Sequence, residues 1–169
     1  MYAFTGSRSL PETFRSPVHI LVDQLTDQNH VVGVGCAEGL DSFVRQSSSF
    51  RGRVFIAESC VPYALVKRSV FMVDVLCCSA VKCLIAFPDK PCPPELVPQF
   101  SALKCFCGSG SGSWATAAYA SARGASLYVG GLSANQLPPA WGSWVLSSRF
   151  PGLRRLLPAP SPQLGLFPS

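Results

Sequence analysis

Short apolar runs alternate with segments of helical periodicity between residues 2 and 129. The runs are rich in Val, Ile, Leu and Phe and end at Gly, Pro or polar residues, a pattern typical of buried strands. They predict five strands, at residues 2–5, 31–34, 53–57, 82–87 and 125–129. The segments between them repeat apolar residues at helical spacing. These predict helices over residues 17–25, 42–46, 64–79 and 113–123.

Strands that are apolar on both faces and alternate with helices favour a sheet covered on both sides. The sequence therefore predicts an α/β fold, a Rossmann-like and mostly parallel sheet of about five strands with helices on both faces. In such sheets ligands bind beyond the carboxyl ends of the strands, because the loops from strand to helix open there. Three Gly-containing loops of this kind are Gly6–Arg8, Gly35–Asp41 and Gly108–Ser113.

The last 37 residues have a different composition. Five prolines follow from Pro151 onward, and the segment contains three arginines and no acidic residue. Prolines disfavour a long helix, while the many apolar residues are atypical of a freely solvated tail. We therefore expect residues 1–132 to form one domain and residues 133–169 to form a Pro-rich extension that packs on this domain or on a neighbouring subunit. The second arrangement predicts a homo-oligomer.

Composition restricts the function classes. Apolar residues make up 48% of the chain and charged residues 14%, but no apolar run reaches the length of about 18 residues that crosses a bilayer. Residues 2–8 lack the pattern of a secretory signal, so we expect a cytoplasmic protein without a membrane partner. Residues 1–132 carry 11 basic and 9 acidic side chains, so the net charge of +5 is not by itself a nucleic-acid signature.

The eight cysteines lie in apolar segments as often as in loops. This distribution favours free, buried thiols in a reducing compartment over disulfides. No pair has the CxxC spacing of a zinc site, and neither His19 nor His30 is spaced as a ligand partner. We therefore predict neither a metal site nor a bound cofactor.

The loop Gly108–Gly112, in which glycine and serine alternate, directly precedes a predicted helix. A helix start presents unpaired backbone N–H groups and a fractional positive charge, and small residues let a phosphate come close. Further hydroxyl donors would come from Ser109, Ser111, Ser113 and Thr116. The same composition is also typical of a mobile surface loop or a linker, and both interpretations stay open.

The other two loops add charge at the same edge. In Gly35–Asp41, the carboxylates of Glu38 and Asp41 would accept hydrogen bonds from ribose hydroxyls or base N–H groups, and Asp41 would also cap the next helix. In Gly6–Arg8, the guanidinium of Arg8 suits bidentate contact with phosphate. We expect the starts of the helices predicted over residues 42–46 and 113–123 to converge on one cleft that attracts an anion.

These motifs, in this order, resemble those of the SLOG superfamily. They are Gly6-Ser7-Arg8 after the first strand, Gly35-Cys36-Ala37-Glu38-Gly39-Leu40-Asp41 after the second, Lys67-Arg68 before Leu84–Pro88, and Gly108–Ser113 before the last helix. The superfamily includes DprA-like DNA-processing proteins, LOG phosphoribohydrolases and YspA-like nucleotide-binding proteins. The resemblance covers roughly residues 1–131. It implies a nucleotide-binding site formed by Gly6, Ser7, Arg8, Gly35, Gly39, Asp41, Lys67, Arg68 and Ser109–Ser113.

One departure from the family bears on catalysis. LOG hydrolases carry a glutamate three residues beyond the Gly-Thr of their loop, and aligning Gly112-Ser113 with that pair places Thr116 there. Cleavage of an N-glycosidic bond requires a carboxylate, which threonine does not supply. An enzyme would have to use Glu38 or Glu58 instead.

We therefore expect a non-catalytic module that binds a small phosphorylated nucleotide. The ligand would be an ADP-ribose derivative or a cyclic or oligomeric nucleotide signal, and the protein would act as a sensor or a sequestering protein in antiviral signalling. Two alternatives stay open. One is a LOG-type nucleotide N-glycosidase, and the other is DprA-like binding of single-stranded DNA that requires the arginines of the extension.

Overall fold

The computed structural model of the chain describes residues 1–58, 62–108 and 111–158. The strands are β1 (Tyr2–Gly6), β2 (Val32–Gly35), β3 (Gly52–Phe55), β4 (Cys83–Phe87), β5 (Ser126–Val129), β6 (Gly142–Leu146) and β7 (Arg154–Pro158). The helices are α1 (Arg15–Asp27), α2 (Leu40–Gln46), α3 (Ala64–Cys77), α4 (Ala102–Cys105) and α5 (Gly112–Ala122). The prediction of an α/β fold with a mostly parallel sheet is confirmed.

One mixed sheet of seven strands runs through the molecule in the order β3-β2-β1-β4-β5-β7-β6. Strands β1 to β5 pair in parallel, and β7 pairs antiparallel with both β5 and β6. The two central strands, β1 and β4, are in register with Phe4 beside Ile85. The chain therefore winds outward from β1 to β3, returns to β4 and then continues to the other edge.

Helices cover both faces of the sheet, and β1 shows how the sequence separates them. Tyr2 and Phe4 belong to a core cluster with α1 and α2, whereas Ala3 belongs to a second cluster with α3 and α5. Alternate side chains of a strand point to opposite faces, so a strand buried on both sides is apolar throughout. Four of the five β1 residues are buried, and Gly6 is partly buried.

The sheet has seven strands rather than the predicted five, because residues 142–158 add the antiparallel pair β6 and β7. The loop between these strands places Phe150 on the α1 face, where its ring meets those of Tyr2 and Tyr128 edge-on at centroid distances of 6.0 and 5.0 Å. Phe150 is fully buried. A loop thus covers this part of the face, and residues up to Leu156 contribute to the core of the preceding domain.

Replacing Phe150 with leucine tests this shared core. The variant is expected to lower the free energy of unfolding by about 1–3 kcal/mol, because two edge-to-face ring contacts and some apolar contact are lost. Urea denaturation followed by tryptophan fluorescence measures the change. Phe100→Leu is the matched control, since Phe100 is 79% exposed. Equal stabilities of the two variants would contradict the packing role of this loop.

Within the described ranges, no helix combines the length and apolar character needed to span a membrane. Six cysteines described there form no disulfide: Cys36, Cys77, Cys78, Cys83, Cys92 and Cys105.

Candidate functional site

A cleft of about 720 Å³ lies at the carboxyl ends of β1 and β4. The strand order reverses between these two strands, and in parallel α/β sheets ligands bind at that position. The walls come from the loop after β1, the starts of α2 and α3, the segment after β4 and the start of α5. The residues that the sequence analysis placed in the site and that line the cleft are Gly6, Ser7, Arg8, Asp41, Arg68, Gly108, Ser111, Gly112 and Ser113.

Backbone hydrogen bonds hold the loop after β1 against its neighbours. The N–H of Ser7 donates to the carbonyl of Phe87 at 2.9 Å, and the N–H of Leu40 donates to the carbonyl of Ser7 at 3.1 Å. Gly39 makes the second contact possible. It has φ of +67° and ψ of −126°, and an added Cβ would overlap the carbonyl oxygen of Ser7 and lie 2.6 Å from the carbonyl carbon of Arg8. The position therefore requires glycine.

A largely buried ion pair forms part of the cleft wall. Nη1 of Arg68 lies 2.8 Å from Oδ2 of Asp41, and their side chains are 12% and 7% exposed. The same carboxylate oxygen accepts the N–H of Ala37 at 3.2 Å. Gly35 lies directly behind the pair, because a Cβ there would overlap Nη1 of Arg68. Its lack of a side chain lets the guanidinium lie against the end of β2.

The guanidinium of Arg68 is not fully paired. Its Nε is buried and has no hydrogen-bond partner in the part of the chain that the structure describes. Buried donors are nearly always hydrogen-bonded in folded proteins, and an unsatisfied one costs about 1–3 kcal/mol. An acceptor supplied by a ligand in the cleft would remove that cost.

The start of α2 differs from the expectation. Asp41 does not cap the helix, because Gly39 is the N-cap residue and Asp41 lies in the first turn with its carboxylate turned to Ala37 and Arg68. The first N–H of the helix, that of Leu40, already donates to Ser7. One of the free N–H groups expected at the start of α2 is therefore not available to a ligand. This helix contributes a carboxylate to the cleft.

The start of α5 does open to the cleft. The side chain of Ser111 caps the helix by accepting the N–H of Trp114 at 3.3 Å. The N–H groups of Gly112 and Ser113 precede it and have no intrahelical acceptor by the geometry of a helix. A Cβ at Gly112 would meet nothing within 4 Å among the described residues. Gly112 and Ser113 line the cleft, so the positive end of an 11-residue helix lies at its wall.

Thr116 lies elsewhere than expected. Its side chain is 1% exposed, and its hydroxyl donates to the carbonyl of Gly112 at 2.7 Å. The hydroxyl is therefore used within the helix.

Five charged side chains line the cleft. Three are basic and two are acidic: Arg8, Arg68, Lys90, Asp41 and Asp89. Arg8 and Lys90 are exposed. Asp89 is exposed as well and accepts a hydrogen bond from the hydroxyl of Ser9 at 3.3 Å. Asp41 is paired with Nη1 of Arg68, so the donors available to a ligand are Arg8, Lys90, the α5 start and the unpartnered Nε of Arg68.

Several predicted residues do not line the cleft. Glu38 and Lys67 are exposed outside it, as is Glu58, the other carboxylate considered for catalysis. Gly35 and Gly39 support its walls from behind. Ser109 and Gly110 fall outside the residues that the structure describes.

The sequence analysis missed Arg45 and the Asp89-Lys90 pair. Arg45 donates from Nη1 to the carbonyl of Gly35 at 2.7 Å and from Nη2 to that of Ala37 at 2.9 Å, so it holds the loop after β2. No local pattern distinguishes it from a solvated helical arginine. Asp89 and Lys90 could have been found, because they follow the apolar run of β4 at the edge where the loops open.

The thiol of Cys92 lies close to the cleft and is not activated as a nucleophile. Cys92 stands between Pro91 and Pro93, which line the cleft, and burial raises its pKa to about 12. It is therefore protonated and a poor nucleophile at neutral pH. Among the described residues, no group of three or more His, Cys, Asp or Glu side chains could hold a metal ion.

Comparison with known proteins gives no relative: no family model, curated protein or solved structure matches this chain. Any functional assignment therefore depends on the cleft itself.

Proposed function

We propose that the cleft binds a small phosphorylated nucleotide, either an ADP-ribose-type molecule or a cyclic or oligomeric nucleotide signal. The observation that carries this proposal is the placement of Arg68, with its buried and unpartnered Nε, in the same cleft as the open start of α5. A guanidinium and unpaired helix N–H groups are both donors that suit phosphate oxygens. The volume of about 720 Å³ is in the range of small-molecule sites.

We propose further that the domain is a Rossmann-like member of the SLOG superfamily. The order β3-β2-β1-β4-β5 of its parallel strands and the position of the cleft between β1 and β4 support this assignment. A cytoplasmic role as a nucleotide sensor or sequestering protein in antiviral signalling follows from the resemblance and is part of the proposal. So is a homo-oligomer, which the exposed apolar side chains Ile56 and Leu146 near the two sheet edges support.

Binding is favoured over LOG-type hydrolysis by the placement of the carboxylates that the sequence analysis considered for catalysis. Glu38 and Glu58 do not line the cleft, and Thr116 occupies the place of the family's glutamate with its hydroxyl bound inside α5. Asp41 is engaged with Arg68. We therefore expect chromatography of a nucleotide incubated with the protein to recover it unchanged.

Binding of single-stranded DNA loses its main support. It required the arginines of the extension to join the groove, and none of the three lines the cleft. Arg149 instead lies over the rings of Tyr2 and Phe150, and Arg155 lies over the ring of Tyr128.

The test is thermal unfolding with AMP, ADP-ribose, cyclic nucleotides and a dinucleotide. A ligand at 100 times its Kd stabilises the folded state by about 2.7 kcal/mol, so at least one of them is expected to raise the Tm by several degrees. No shift with any of them at millimolar concentration would contradict the proposal.

Two variants with the same change in charge separate the cleft from the rest of the surface. Arg8→Gln is expected to reduce the affinity for the stabilising nucleotide by about fivefold or more, because it removes a cation from the cleft wall. Lys67→Gln is the matched control, since Lys67 is exposed outside the cleft. Equal losses in both variants would indicate a general charge effect instead of a site.

A further inference from the structure

The cleft contains apolar surface that phosphate contacts do not explain. Leu65 and Val66 in the first turn of α3 line it, together with three residues of the segment after β4, Pro91, Pro93 and Phe106. Leu65 is 44% exposed and lies three residues before Arg68, on the same side of α3. A cleft that bound only phosphate or a sugar phosphate would gain little from such side chains. Small-molecule sites use apolar walls for the non-polar parts of their ligands.

Two buried tryptophans anchor the first part of the connection between β4 and α4. The indole N–H of Trp114 donates to the carbonyl of Lys90, and that of Trp141 donates to the carbonyl of Leu96, each at 2.8 Å. The two indole rings pack edge-on at a centroid distance of 5.5 Å, and both are buried. Side chains from α5 and from the turn before β6 thus fix the long connection at two points. The part of the cleft wall that Pro91 and Pro93 form is therefore held against the core, and a preformed wall lowers the entropic cost of binding.

Phe106 lies near the other end of this connection. It directly follows the single turn of α4, and its N–H donates to the carbonyl of Ala102 at 2.9 Å. Its side chain is partly buried against the core cluster and still lines the cleft. An aromatic ring held in this way offers a flat surface for a second aromatic ring.

We propose that Phe106, with Leu65 and the prolines at 91 and 93, binds the base of the nucleotide by stacking and apolar contact. This inference rests on the proposed function and adds that the apolar wall determines the preference for a nucleotide over a sugar phosphate. The phosphate is held by Arg8, Arg68 and the α5 start, while the base lies on the segment after β4. Stacking of a base on an aromatic side chain contributes about 5- to 100-fold in affinity.

The experiment compares AMP with ribose 5-phosphate by isothermal titration calorimetry, because the two differ by the base. Wild-type protein is expected to bind AMP at least tenfold more tightly. Phe106→Ala is expected to weaken AMP binding by about 5- to 100-fold and to change ribose 5-phosphate binding by less than twofold. Phe106→Tyr keeps the ring and should retain the preference. Phe100→Ala is the control on the same segment, where the side chain is 79% exposed and does not line the cleft.

The outcomes distinguish this inference from the proposed function. Equal affinity of wild-type protein for AMP and ribose 5-phosphate would overturn the base site and leave the phosphate site standing, even if Phe106→Ala failed to fold. A loss of affinity for both ligands in Phe106→Ala would show a structural role and would also overturn it. Binding of neither ligand by wild-type protein would overturn the base site, whereas the proposed function is overturned only if every nucleotide of the thermal screen also fails to bind.

Discussion

Replacing Gly39 with alanine is expected to lower the free energy of unfolding by about 4 kcal/mol. Two effects add. A residue with a side chain is strained at φ of +67° and ψ of −126°, which costs about 1–3 kcal/mol. The added Cβ would also overlap the carbonyl oxygen of Ser7, and relief requires moving the backbone of the loop after β1 away from α2. Urea denaturation measures the change in stability.

Gly152→Ala separates these two effects. Gly152 has φ of +81°, but a Cβ there would meet nothing within 4 Å among the described residues. The control variant should therefore show the cost of backbone strain alone, about 1 kcal/mol. Where Gly39→Ala still folds, the shifted loop carries Ser7 and Arg8 away from the cleft, so nucleotide affinity should fall as well. A loss of stability in Gly39→Ala no larger than in Gly152→Ala would refute the close contact between the loop and α2.

Replacing Arg68 with methionine should affect both stability and ligand binding. The carboxylate of Asp41 is 7% exposed and would lose its ion-pair partner, which costs about 3 kcal/mol. The cleft would also lose a guanidinium. We expect the affinity for the nucleotide found in the thermal screen to fall at least tenfold, since a charge-assisted hydrogen bond contributes about 1.5–3 kcal/mol.

Adding Asp41→Asn to Arg68→Met separates the two effects. The amide oxygen of asparagine can still accept the N–H of Ala37 and carries no charge. The double variant should therefore recover most of the stability lost in Arg68→Met, while its nucleotide affinity stays low. Calorimetry and urea denaturation on the three proteins provide the comparison. Wild-type affinity in the double variant would show that Arg68 is only a structural partner of Asp41.

Part of the site could be predicted from the sequence because backbone geometry alone decides it. Loops after strands of a parallel sheet open at one edge, so Gly6–Arg8 and the residues at the start of α5 were predictable from the order of the elements. The same argument applies to Asp89 and Lys90, which follow β4. The roles of individual side chains were not predictable in this way. Thr116 precedes no turn and has no unusual neighbour in sequence, yet its hydroxyl is used within α5.

The alternation of apolar runs and helical segments by itself determined the α/β class and the five parallel strands. That pattern is local: a strand buried on both faces must be apolar at every position, and the helices that cover it must have an apolar stripe. The strands β6 and β7 escaped it, because they mix polar and apolar residues, and Trp144 and Leu156 pack against core residues far away in sequence. Only the tertiary structure decided that Asp41 pairs with Arg68 across 27 residues, that α2 closes on the carbonyl of Ser7, and that two tryptophans anchor the first part of the connection between β4 and α4. Each of these contacts depends on the distance between groups that the chain brings together only when it folds.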